Sequence, residues 1–479
     1  MNYTVKSLKK ALDNKEVSSL EVTEEYLKRA KKNKHNAYIT VTEDIALRNA
    51  KEEDEKRIKG EKTGILSGIP GAVKDNISTK DVRTTCASEI LKNYISIYDA
   101  TVISKLKDSG FVMLGKTNMD EFAMGSTSTN SYYNPVINPV DNLKIAGGSS
   151  GGSAAAVVSN ECVFALGSDT GGSIRLPASY CNVCGIKPTY GAVSRYGLIA
   201  FASSLDHIGV ITKNVEDSGI VLNEIMGYDK KDLTSKEKED NILRDINKGL
   251  KGIRIALPYE FIKNTSDKLT QEKIMNSALI MEKEGAIVDT VSIKDIEQAV
   301  NAYYIISSAE ASSNLARYDG IKYGKRTDKY NSLEEVYKFS RNEGFGEEVK
   351  RRIMLGSYVL SSGYYDDYYK NAVNFRNKIK EEYKKIFKEY DCVMLPTTPS
   401  MPQGTNENNN ITKIYNTDVY TVCDNLTGCP SITIPCERKD GIISSGIQLT
   451  TDHFKEHLLL QIAKGYEDAS YDRGGSYGK

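Results

Sequence analysis

Hydrophobic positions recur at helical spacing in the first sixty residues of the chain. Val5, Leu8 and Leu12 lie three or four positions apart among lysines, and the same spacing returns among the Lys and Glu residues that follow. A stripe of this kind predicts surface helices that bury one face. Residues 1–60 are therefore expected to form a helical lead-in that packs on the main domain.

The pattern changes between residues 69 and 217, where charged positions become rare. Short apolar runs, IPGAV from position 69, FVMLG from 111 and CVFALGS from 162, alternate with glycine-rich turns, and a small-residue helix, SAAAVVS, begins at 153. Apolar runs of this length are typical of strands that are buried on both faces and carry functional loops at their ends.

The remaining chain is charged and helix-rich, with five further strand candidates at 253–258, 286–293, 392–398, 431–436 and 445–451. Alternating strands and helices predict the α/β class. Because no repeat or Pro/Gly linker divides the chain, we expect one large domain over residues 61–470. Residues 402–413 are expected to form an exposed loop and residues 471–479 a flexible tail.

Charge and composition exclude several classes of protein. The chain has 64 Lys+Arg and 64 Asp+Glu, and this zero net charge argues against a protein that holds a nucleic acid by itself. Hydrophobic residues make up 39% and charged residues 27%, as in ordinary globular proteins. No stretch approaches the roughly 20 apolar residues of a membrane span, and no signal peptide is visible, so the reducing cytoplasm is the expected location.

Cysteine and histidine patterns offer little chemistry of their own. The eight cysteines lie mostly among apolar neighbours and are expected in the core. Cys181 and Cys184 form a single CxxC without a second pair or a nearby histidine, which disfavours a zinc or redox site. His453 and His457 lie four positions apart but lack the H-E-x-x-H pattern, so they are expected on the surface.

The strongest signal is a pair of serine-containing glycine-rich loops, GGSSGGSAAA (147–156) and GSDTGGSIRLPAS (167–179). Each opens a predicted helix, where backbone N–H groups favour an anion. A phosphate loop is disfavoured because neither segment has the required spacing. An oxyanion hole beside a nucleophilic serine is the second interpretation, and tight turns that only pack a strand on a helix are the third.

A serine nucleophile needs a base. A Ser-His-Asp relay could run only through His207, and no G-x-S-x-G motif accompanies it. Lys74 ends the apolar run IPGAVK, and burial there would lower its pKa from about 10.4 to roughly 7 to 8, which suits a general base. A structural ion pair between Lys74 and Asp75 is the other interpretation.

Three motifs occur in order: GIPGAVKDNI (68–77), GGSSGGSAAAVV (147–158) and GSDTGGSIRLPASYCNVCGIKPTYG (167–191). Together they resemble the amidase signature family of serine amide hydrolases. The resemblance implies one α/β/α domain around a central mixed sheet, with the signature core at about residues 69–217.

The resemblance also implies the catalytic residues. Ser173 would be the acyl-forming nucleophile, Ser149 the bridging hydroxyl next to a cis peptide bond, and Lys74 the base. Backbone N–H groups around this serine would stabilise the oxyanion, and no metal is implied; the expected oxyanion residues are Asp169, Thr170, Gly171 and Gly172.

Five further segments, 118–129, 194–209, 308–324, 343–369 and 424–436, resemble the branch of this family formed by the A subunits of tRNA-dependent amidotransferases. This implies a glutaminase whose ammonia passes to a partner B subunit, with a small C subunit holding the two in a heterotrimer. The B subunit would hold the misacylated tRNA, Glu-tRNA(Gln) or in some cells Asp-tRNA(Asn), and would use ATP and Mg²⁺. No cofactor is expected on this chain.

A glutamine pocket should supply one carboxylate and one guanidinium, because glutamine carries an α-ammonium and an α-carboxylate. The resemblance implies Arg352 for the α-carboxylate, Asp418 for the α-ammonium and Tyr303 as a pocket hydroxyl. The pocket would be lined by Met124, Gly125 and Ser126. Arg351 is an equally visible neighbour of Arg352.

Four departures from the family and two alternative functions accompany this interpretation, and two of the departures are Cys184 and Cys429, which replace more usual aliphatic residues. Family members commonly have an aliphatic residue where Gly71 stands and often have glycine where Ser126 stands. One alternative is a free-standing amidase that hydrolyses small-molecule amides without partners. The other is a scaffold that keeps the signature for packing while its partners perform the chemistry.

Overall fold

The computed structural model describes residues 2–238, 241–405, 415, 417–437 and 442–471. The strands in this part of the chain are β1 (Tyr38–Val41), β2 (Pro70–Lys74), β3 (Val112–Thr117), β4 (Phe164–Asp169), β5 (Cys184–Lys187), β6 (His207–Thr212), β7 (Arg254–Pro258), β8 (Ile287–Val291), β9 (Cys392–Pro396), β10 (Ser431–Pro435) and β11 (Gly446–Thr450).

The α-helices in the same residues are α1 (Val5–Asp13), α2 (Ser19–Lys32), α3 (Glu43–Ile58), α4 (Thr101–Asp108), α5 (Gly151–Val158), α6 (Arg175–Tyr180), α7 (Val215–Ile225), α8 (Tyr259–Asn264), α9 (Lys268–Lys283), α10 (Ala299–Asn314), α11 (Leu333–Gly344), α12 (Glu347–Val359), α13 (Asn371–Ile386), α14 (Val422–Thr427) and α15 (Glu456–Tyr471). Short 3₁₀ turns occur at Glu89–Leu91, Glu121–Ala123, Ile296–Gln298 and Leu315–Arg317, and a π-helical segment at Tyr365–Lys370.

One mixed sheet organises the molecule. Its strand order is β1-β3-β2-β4-β6-β5-β10-β11-β9-β7-β8, with eleven strands. Strand β2 is parallel to β3 and to β4, and β7 is parallel to β8 and to β9, whereas the central pairs are antiparallel. The predicted α/β class with a central mixed sheet is confirmed.

Three neighbouring strands bring the signature motifs together. Because β3, β2 and β4 are parallel neighbours, their carboxyl ends lie at the same edge of the sheet. Lys74 ends β2, the loop that follows β3 begins after Thr117, and Asp169 ends β4. The helix α5, which starts directly after the first glycine-rich loop, packs on the same strands.

Three strands were absent from the sequence prediction. Strand β1 has only four residues, and only one of them is buried, so it carries no apolar run. Strand β5 is equally short and contains Gly185. Strand β6 begins at His207, directly after the polar segment SSLD, and the antiparallel pairing of β6 with β4 depends on a contact between distant segments.

The first sixty residues form three helices and contribute one strand. Strand β1 pairs antiparallel with β3 at the edge of the sheet. The start of α1 is fixed by Asp217 on α7, whose carboxylate accepts from the Val5 N–H at 2.7 Å and the Lys6 N–H at 3.2 Å. Acceptance of free N–H groups at a helix start satisfies donors that have no partner within the helix.

The two segments expected to be irregular are only partly described. Residues 402–405 run beside residues 143–145, where Lys144 and Gly404 form a bridge. Residues 406–413 and 472–479 lie outside the described residues. Tyr471 is the last residue of α15.

Gly71 lies under an aromatic ring of the neighbouring strand. Gly71 of β2 is paired with Phe164 of β4, and a Cβ on Gly71 would lie 2.6 Å from Phe164 Cζ. Phe164 is fully buried and packs against Phe111 with 6.2 Å between ring centroids. The space that an aliphatic side chain would occupy at position 71 is therefore filled by this ring.

We expect Gly71→Val to lower the free energy of unfolding by about 1–3 kcal/mol, because an overpacked core must shift. Urea unfolding followed by circular dichroism measures this change. In combination with Phe164→Leu, the cost of Gly71→Val should shrink, because the two positions share one space. Strict additivity of the two substitutions would contradict this account of the packing.

Candidate active site

Lys74 lies at the carboxyl end of β2 with its amine surrounded by oxygen atoms. Its Nζ lies 2.7 Å from Ser149 Oγ, 2.8 Å from Ser150 Oγ and 2.9 Å from Ser168 Oγ, and 3.2 Å from the Ser168 carbonyl oxygen. Lys74 itself is fully buried. The amine thus contacts the first serine of the GGSSGG loop directly.

Burial lowers the pKa of Lys74 to about 7. The opposing influence of Asp120, Asp169 and Asp206, and of the buried thiol of Cys86, raises this pKa but does not restore its usual value. A lysine with a pKa near neutrality has a substantial neutral fraction, as a general base requires.

The ion pair between Lys74 and Asp75 is not formed. The Asp75 carboxylate instead accepts from Thr85, through the backbone N–H at 2.9 Å and through the hydroxyl. The described hydrogen bonds of the Lys74 amine all go to serine oxygens. The structure therefore favours the reactive interpretation of Lys74 over the structural one.

The GGSSGG loop presents Ser149 through a cis peptide bond between Gly148 and Ser149. Asp120 supports this loop from the turn after β3. The Asp120 N–H donates to the Ser149 carbonyl at 3.3 Å, and its carboxylate accepts from the Ser128 N–H at 2.9 Å. A Cβ on Gly148 would lie 2.0 Å from Asp120 Oδ2, so only glycine fits at position 148.

Ser173 lies beside this loop at the end of the DTGGS motif. The Ser150 N–H donates to the Ser173 carbonyl at 3.0 Å, which joins the two serine-containing segments. The Ser173 residue is 7% exposed, and its hydroxyl makes no hydrogen bond to a described residue. The link from Lys74 to Ser149 is formed, whereas a hydrogen bond from Ser149 to Ser173 is not.

Of the backbone N–H groups expected to bind the oxyanion, one is already hydrogen-bonded and another is not. The Gly172 N–H donates to Asp169 Oδ1 at 2.8 Å and is therefore occupied. The Gly171 N–H has no acceptor among the described residues. Thr170 Oγ1 donates to Asp206 at 2.7 Å, which fixes the turn before Gly171.

A buried ionic network holds this turn in place. Arg175, at the start of α6, lies 3.0 Å from Asp169 and 2.9 Å from Asp424, and it also donates to Asn425 and Gln448. All of these side chains are fully buried. Burial alone would raise the pKa of Asp169, but the Arg175 guanidinium holds it below its usual range. Asp169 thus acts as an anchor for the loop.

His207 does not form a serine relay. Its Nδ1 lies 2.6 Å from the Leu205 carbonyl, and its Nε2 is buried without a partner among the described residues. Burial lowers the pKa of His207 well below its usual value. The neutral imidazole is therefore committed to the backbone, and the Ser-His-Asp interpretation gains no support.

Arg352 lies on α12 with its guanidinium buried against aromatic rings. Its Nε donates to Glu348 at 2.7 Å, and its charged end lies 4.4 Å from the ring centre of Tyr304 and 5.1 Å from that of Tyr415. Nη1 is buried and has no acceptor among the described residues. A buried, unsatisfied guanidinium N–H is suited to a carboxylate ligand.

Asp418 lies close to this guanidinium and to the Ser173 loop. Its carboxylate accepts from Ser126 at 2.7 Å and from the Tyr304 hydroxyl at 2.8 Å. Burial raises the pKa of Asp418 to about 6, so the carboxylate remains largely ionised at neutral pH. Thr421, in the same turn, donates to the Gly171 carbonyl at 2.6 Å and so joins Asp418 to the nucleophile loop.

The other residues expected in the pocket lie around the same space. The end of the Tyr303 ring touches Gly171, where a Cβ would lie 2.6 Å from its hydroxyl oxygen. Gly125 has a φ of +154° and no room for a Cβ beside Asp120, and the neighbouring Met124 is fully buried. Arg351 points to the surface and pairs with Glu348.

Several residues of the site were missed by sequence reasoning. Ser150 and Ser168 lie in the recognised motifs, so their hydroxyls were visible but undistinguished from other serines. Tyr304 is adjacent to Tyr303, and a helical register alone does not decide which of the two bonds Asp418. Glu348 precedes Arg352 by four positions, a spacing that indicates a helical ion pair.

The cysteine and histidine candidates do not form a metal or redox centre within the described residues. All eight cysteines are free and buried, including Cys181 and Cys184. Within the described residues, no group of three His, Cys, Asp or Glu side chains is arranged to hold a metal ion. His453 lies partly exposed beside Asp452. No helix in the described ranges is long and apolar enough to cross a membrane.

A buried lysine linked to a loop serine, beside a second serine with a free hydroxyl, defines a serine hydrolase of the lysine-dependent type. The chain matches the Amidase family model over residues 21–460, and it belongs to this family.

Within this family, the chain is similar to A subunits of amidotransferases. The chain is 50% identical over 473 residues to the A subunit of the glutamyl-tRNA(Gln) amidotransferase of Thermoanaerobacter pseudethanolicus, covering 98% of this chain and 96% of the relative. It is 49% identical to the protein of the same name from Persephonella marina, with 96% of each chain covered.

Solved structures show the same fold. The A subunit of the glutamyl-tRNA(Gln) amidotransferase of Thermotoga maritima matches with a TM-score of 0.74 and 42% identity, over 88% of this chain and 86% of that one. The peptide amidase of Stenotrophomonas maltophilia matches with a TM-score of 0.82 and 27% identity, over 98% of this chain and 97% of that one.

A pH profile tests the basic role of Lys74. Because burial holds the pKa of Lys74 at about 7, the rate at which a fluorophosphonate modifies Ser173 should rise with pH and reach half its maximum near pH 7. Intact-protein mass spectrometry measures this rate, with Ser173→Ala as the unlabelled control. A flat profile through neutral pH would contradict a titrating base.

Proposed function

We propose that this protein hydrolyses the side-chain amide of glutamine through an acyl-enzyme on Ser173. The observation that carries the proposal is the contact between the buried Lys74 amine and Ser149, at 2.7 Å, beside the free hydroxyl of Ser173. His207, the histidine that a serine relay would need, is instead bonded to the Leu205 carbonyl.

The proton path follows from this arrangement. Neutral Lys74 accepts the proton of Ser149, and Ser149 accepts that of Ser173 as the Ser173 oxygen attacks the amide carbon. The negative oxygen of the tetrahedral intermediate then accepts from the Gly171 N–H, which has no acceptor among the described residues. Collapse of the intermediate breaks the C–N bond, and the ammonium of Lys74 returns the proton through Ser149, so that ammonia leaves.

The second half of the reaction reverses these roles. Water attacks the ester carbon of the acyl-enzyme and gives its proton to Lys74 through Ser149. When the Ser173–acyl bond breaks, Ser173 regains a proton and glutamate leaves. Ser173 and Lys74 are thereby restored for the next cycle.

The charged groups of the pocket support an α-amino acid as substrate. Arg352 offers an unsatisfied N–H to the α-carboxylate, and ionised Asp418 offers oxygens to the α-ammonium. Tyr304 joins the two, since its hydroxyl bonds Asp418 and its ring lies against Arg352. A simple aliphatic amide has no group for the unsatisfied N–H of Arg352 and no cation for the Asp418 carboxylate, and leaving buried polar groups unpaired is costly.

We further propose that the ammonia serves a tRNA-dependent amidotransferase, as a carbon–nitrogen ligase of protein biosynthesis. The names and near-complete coverage of the curated relatives support this role. In this proposal the chain is the A subunit of a cytoplasmic heterotrimer. The B subunit holds the misacylated tRNA and uses ATP and Mg²⁺ to activate its carboxylate, and the C subunit joins the other two.

A free-standing amidase is the competing function, since the peptide amidase shares the fold at 27% identity. The two functions differ in substrate preference and in dependence on partners. Ammonia release from L-glutamine and from propionamide, with and without coexpressed B and C partners and acylated tRNA, separates them. Equal hydrolysis of both amides without response to partners would identify a free-standing amidase.

We expect Ser173→Ala and Lys74→Ala to abolish ammonia release from glutamine, with losses of several orders of magnitude, because the nucleophile or its base is missing. Both variants should keep the wild-type circular dichroism spectrum. Unchanged ammonia release by Ser173→Ala would instead identify a scaffold whose partners perform the chemistry.

We expect Arg352→Ala and Asp418→Asn to raise the KM for glutamine by at least about tenfold, because each removes a charged contact with the substrate. Their kcat/KM for propionamide should stay close to the wild-type value. Arg351→Ala is the matched control, since Arg351 is exposed and its loss should change KM little. Equal effects of the two arginine substitutions would contradict the pocket.

A further inference from the structure

The Lys74 amine contacts more hydroxyl groups than a single proton path needs. Besides Ser149, it meets Ser150 Oγ at 2.8 Å and Ser168 Oγ at 2.9 Å. Ser168 Oγ in turn accepts from Asn76 Nδ2 at 2.9 Å. Each of these side chains is at most 2% exposed, so water does not replace any of the contacts.

The donors and acceptors around the neutral amine favour one arrangement of its lone pair. A neutral lysine amine has two N–H donors and one lone pair. The Ser150 hydroxyl donates its only proton to the Ser168 carbonyl at 3.1 Å, so Ser150 Oγ accepts one N–H of Lys74. Ser168 Oγ accepts the other N–H.

The Ser168 carbonyl, at 3.2 Å from Nζ, is the most distant of the four oxygens and already accepts from Ser150. With the two N–H groups directed at Ser150 and Ser168, the lone pair faces Ser149 Oγ, the nearest oxygen at 2.7 Å. That neighbour is the hydroxyl whose proton must move to Lys74. Without Ser168, one N–H of Lys74 would lose its side-chain acceptor, and the amine could rotate about its terminal bond so that the lone pair turns away from Ser149.

We propose that Ser168, held in place by Asn76, is a positioning residue that fixes the rotation of the Lys74 amine so that its lone pair faces Ser149. The inference deepens the proposed function, on whose proton relay it rests. Asn76 lies two residues after Lys74, and its backbone carbonyl accepts from the Ile199 N–H at 2.9 Å, so its main chain is held by a contact that does not involve Lys74.

The charged and titratable groups that face Lys74 come from four segments. Asp120 follows β3, Asp169 ends β4, Asp206 precedes β6, and Cys86 lies in the turn after β2. None of them bonds Ser168 Oγ, whose described side-chain partners are Lys74 and Asn76. Removal of the Ser168 hydroxyl therefore changes the hydrogen bonding of the amine and leaves these charges in place.

The test measures how fast a fluorophosphonate modifies Ser173 of the full-length chain as a function of pH. Ser173 Oγ forms a bond to phosphorus, fluoride leaves, and the serine proton passes through Ser149 to Lys74. The reaction uses the relay and needs neither glutamine nor a partner. Its maximal rate reports the orientation of the base, and its midpoint reports the pKa of Lys74.

For Ser168→Ala we expect the maximal labelling rate to fall about ten- to a hundredfold, the range that a misplaced catalytic group costs. The midpoint should move to lower pH, because the ammonium form loses an acceptor. Ser168→Thr, which keeps a hydroxyl, should recover most of the rate. Asn76→Ala should change rate and midpoint in the same directions by a smaller factor, and it carries the test if Ser168→Ala does not fold.

Ser153→Ala is the matched control. Ser153 is equally buried, and its hydroxyl bonds the Leu166 carbonyl at 3.0 Å and Thr117 at 2.7 Å without touching Lys74. We expect it to lower thermal stability while leaving the labelling rate and midpoint of the folded protein unchanged. An equal loss of rate in Ser153→Ala and Ser168→Ala would overturn the proposal.

Wild-type rate and midpoint in both Ser168→Ala and Asn76→Ala would also overturn it. Failure of the proposed function gives a different result. A wild-type protein that is labelled at Ser173 but releases no ammonia from glutamine would refute the glutaminase, while the labelling profiles of the variants would still decide the role of Ser168.

Discussion

The burial of one amine governs the site. Lys74 is fully removed from solvent, and the loss of hydration makes its neutral form accessible near pH 7. An amine in this state must have polar neighbours, or its burial would be prohibitive. Strands β2 and β4 and the loop before α5 meet around this amine, and the polar neighbours they supply are serine oxygens and not a carboxylate. Hydroxyls satisfy the amine without forcing it into the charged form.

The hydrogen-bond partners of Asp169 and Asp418 give these two buried carboxylates different roles. Asp169 is held ionised by Arg175 and has its oxygens occupied by the backbone of the nucleophile loop, so it maintains geometry. Asp418 lies among hydroxyl donors and has no cation within bonding distance among the described residues, so it keeps affinity for one. In the proposed function, a carboxylate therefore gives rigidity at Asp169 and substrate recognition at Asp418.

The sequence was sufficient where the information is local. Apolar runs located β2, β3 and β4, and three ordered motifs pointed to Lys74, Ser149 and Ser173. Strands β1 and β5 were missed because they are only four residues long and depend on pairing with distant strands. Strand β6, HIGVIT, has a strand-like composition but was missed beside the polar residues that precede it. Sequence analysis missed Ser168 and Tyr304 for a related reason. Their importance lies in contacts with Lys74 and Asp418, and side-chain direction in three dimensions decides those contacts.

The site residues come from two different stretches of the sequence. The proposed base, bridging hydroxyl and nucleophile all lie between residues 74 and 173, whereas Tyr304, Arg352 and Asp418 come from the later, helix-rich stretch. Apart from the segment 124–126, which reaches the pocket through Ser126, the groups for bond cleavage and the charged groups for substrate choice are therefore encoded in different parts of the gene. Drift or recombination in the later stretch can redirect the enzyme to another amide while the cleavage apparatus is inherited intact, which gives such a scaffold a short evolutionary route to new substrates.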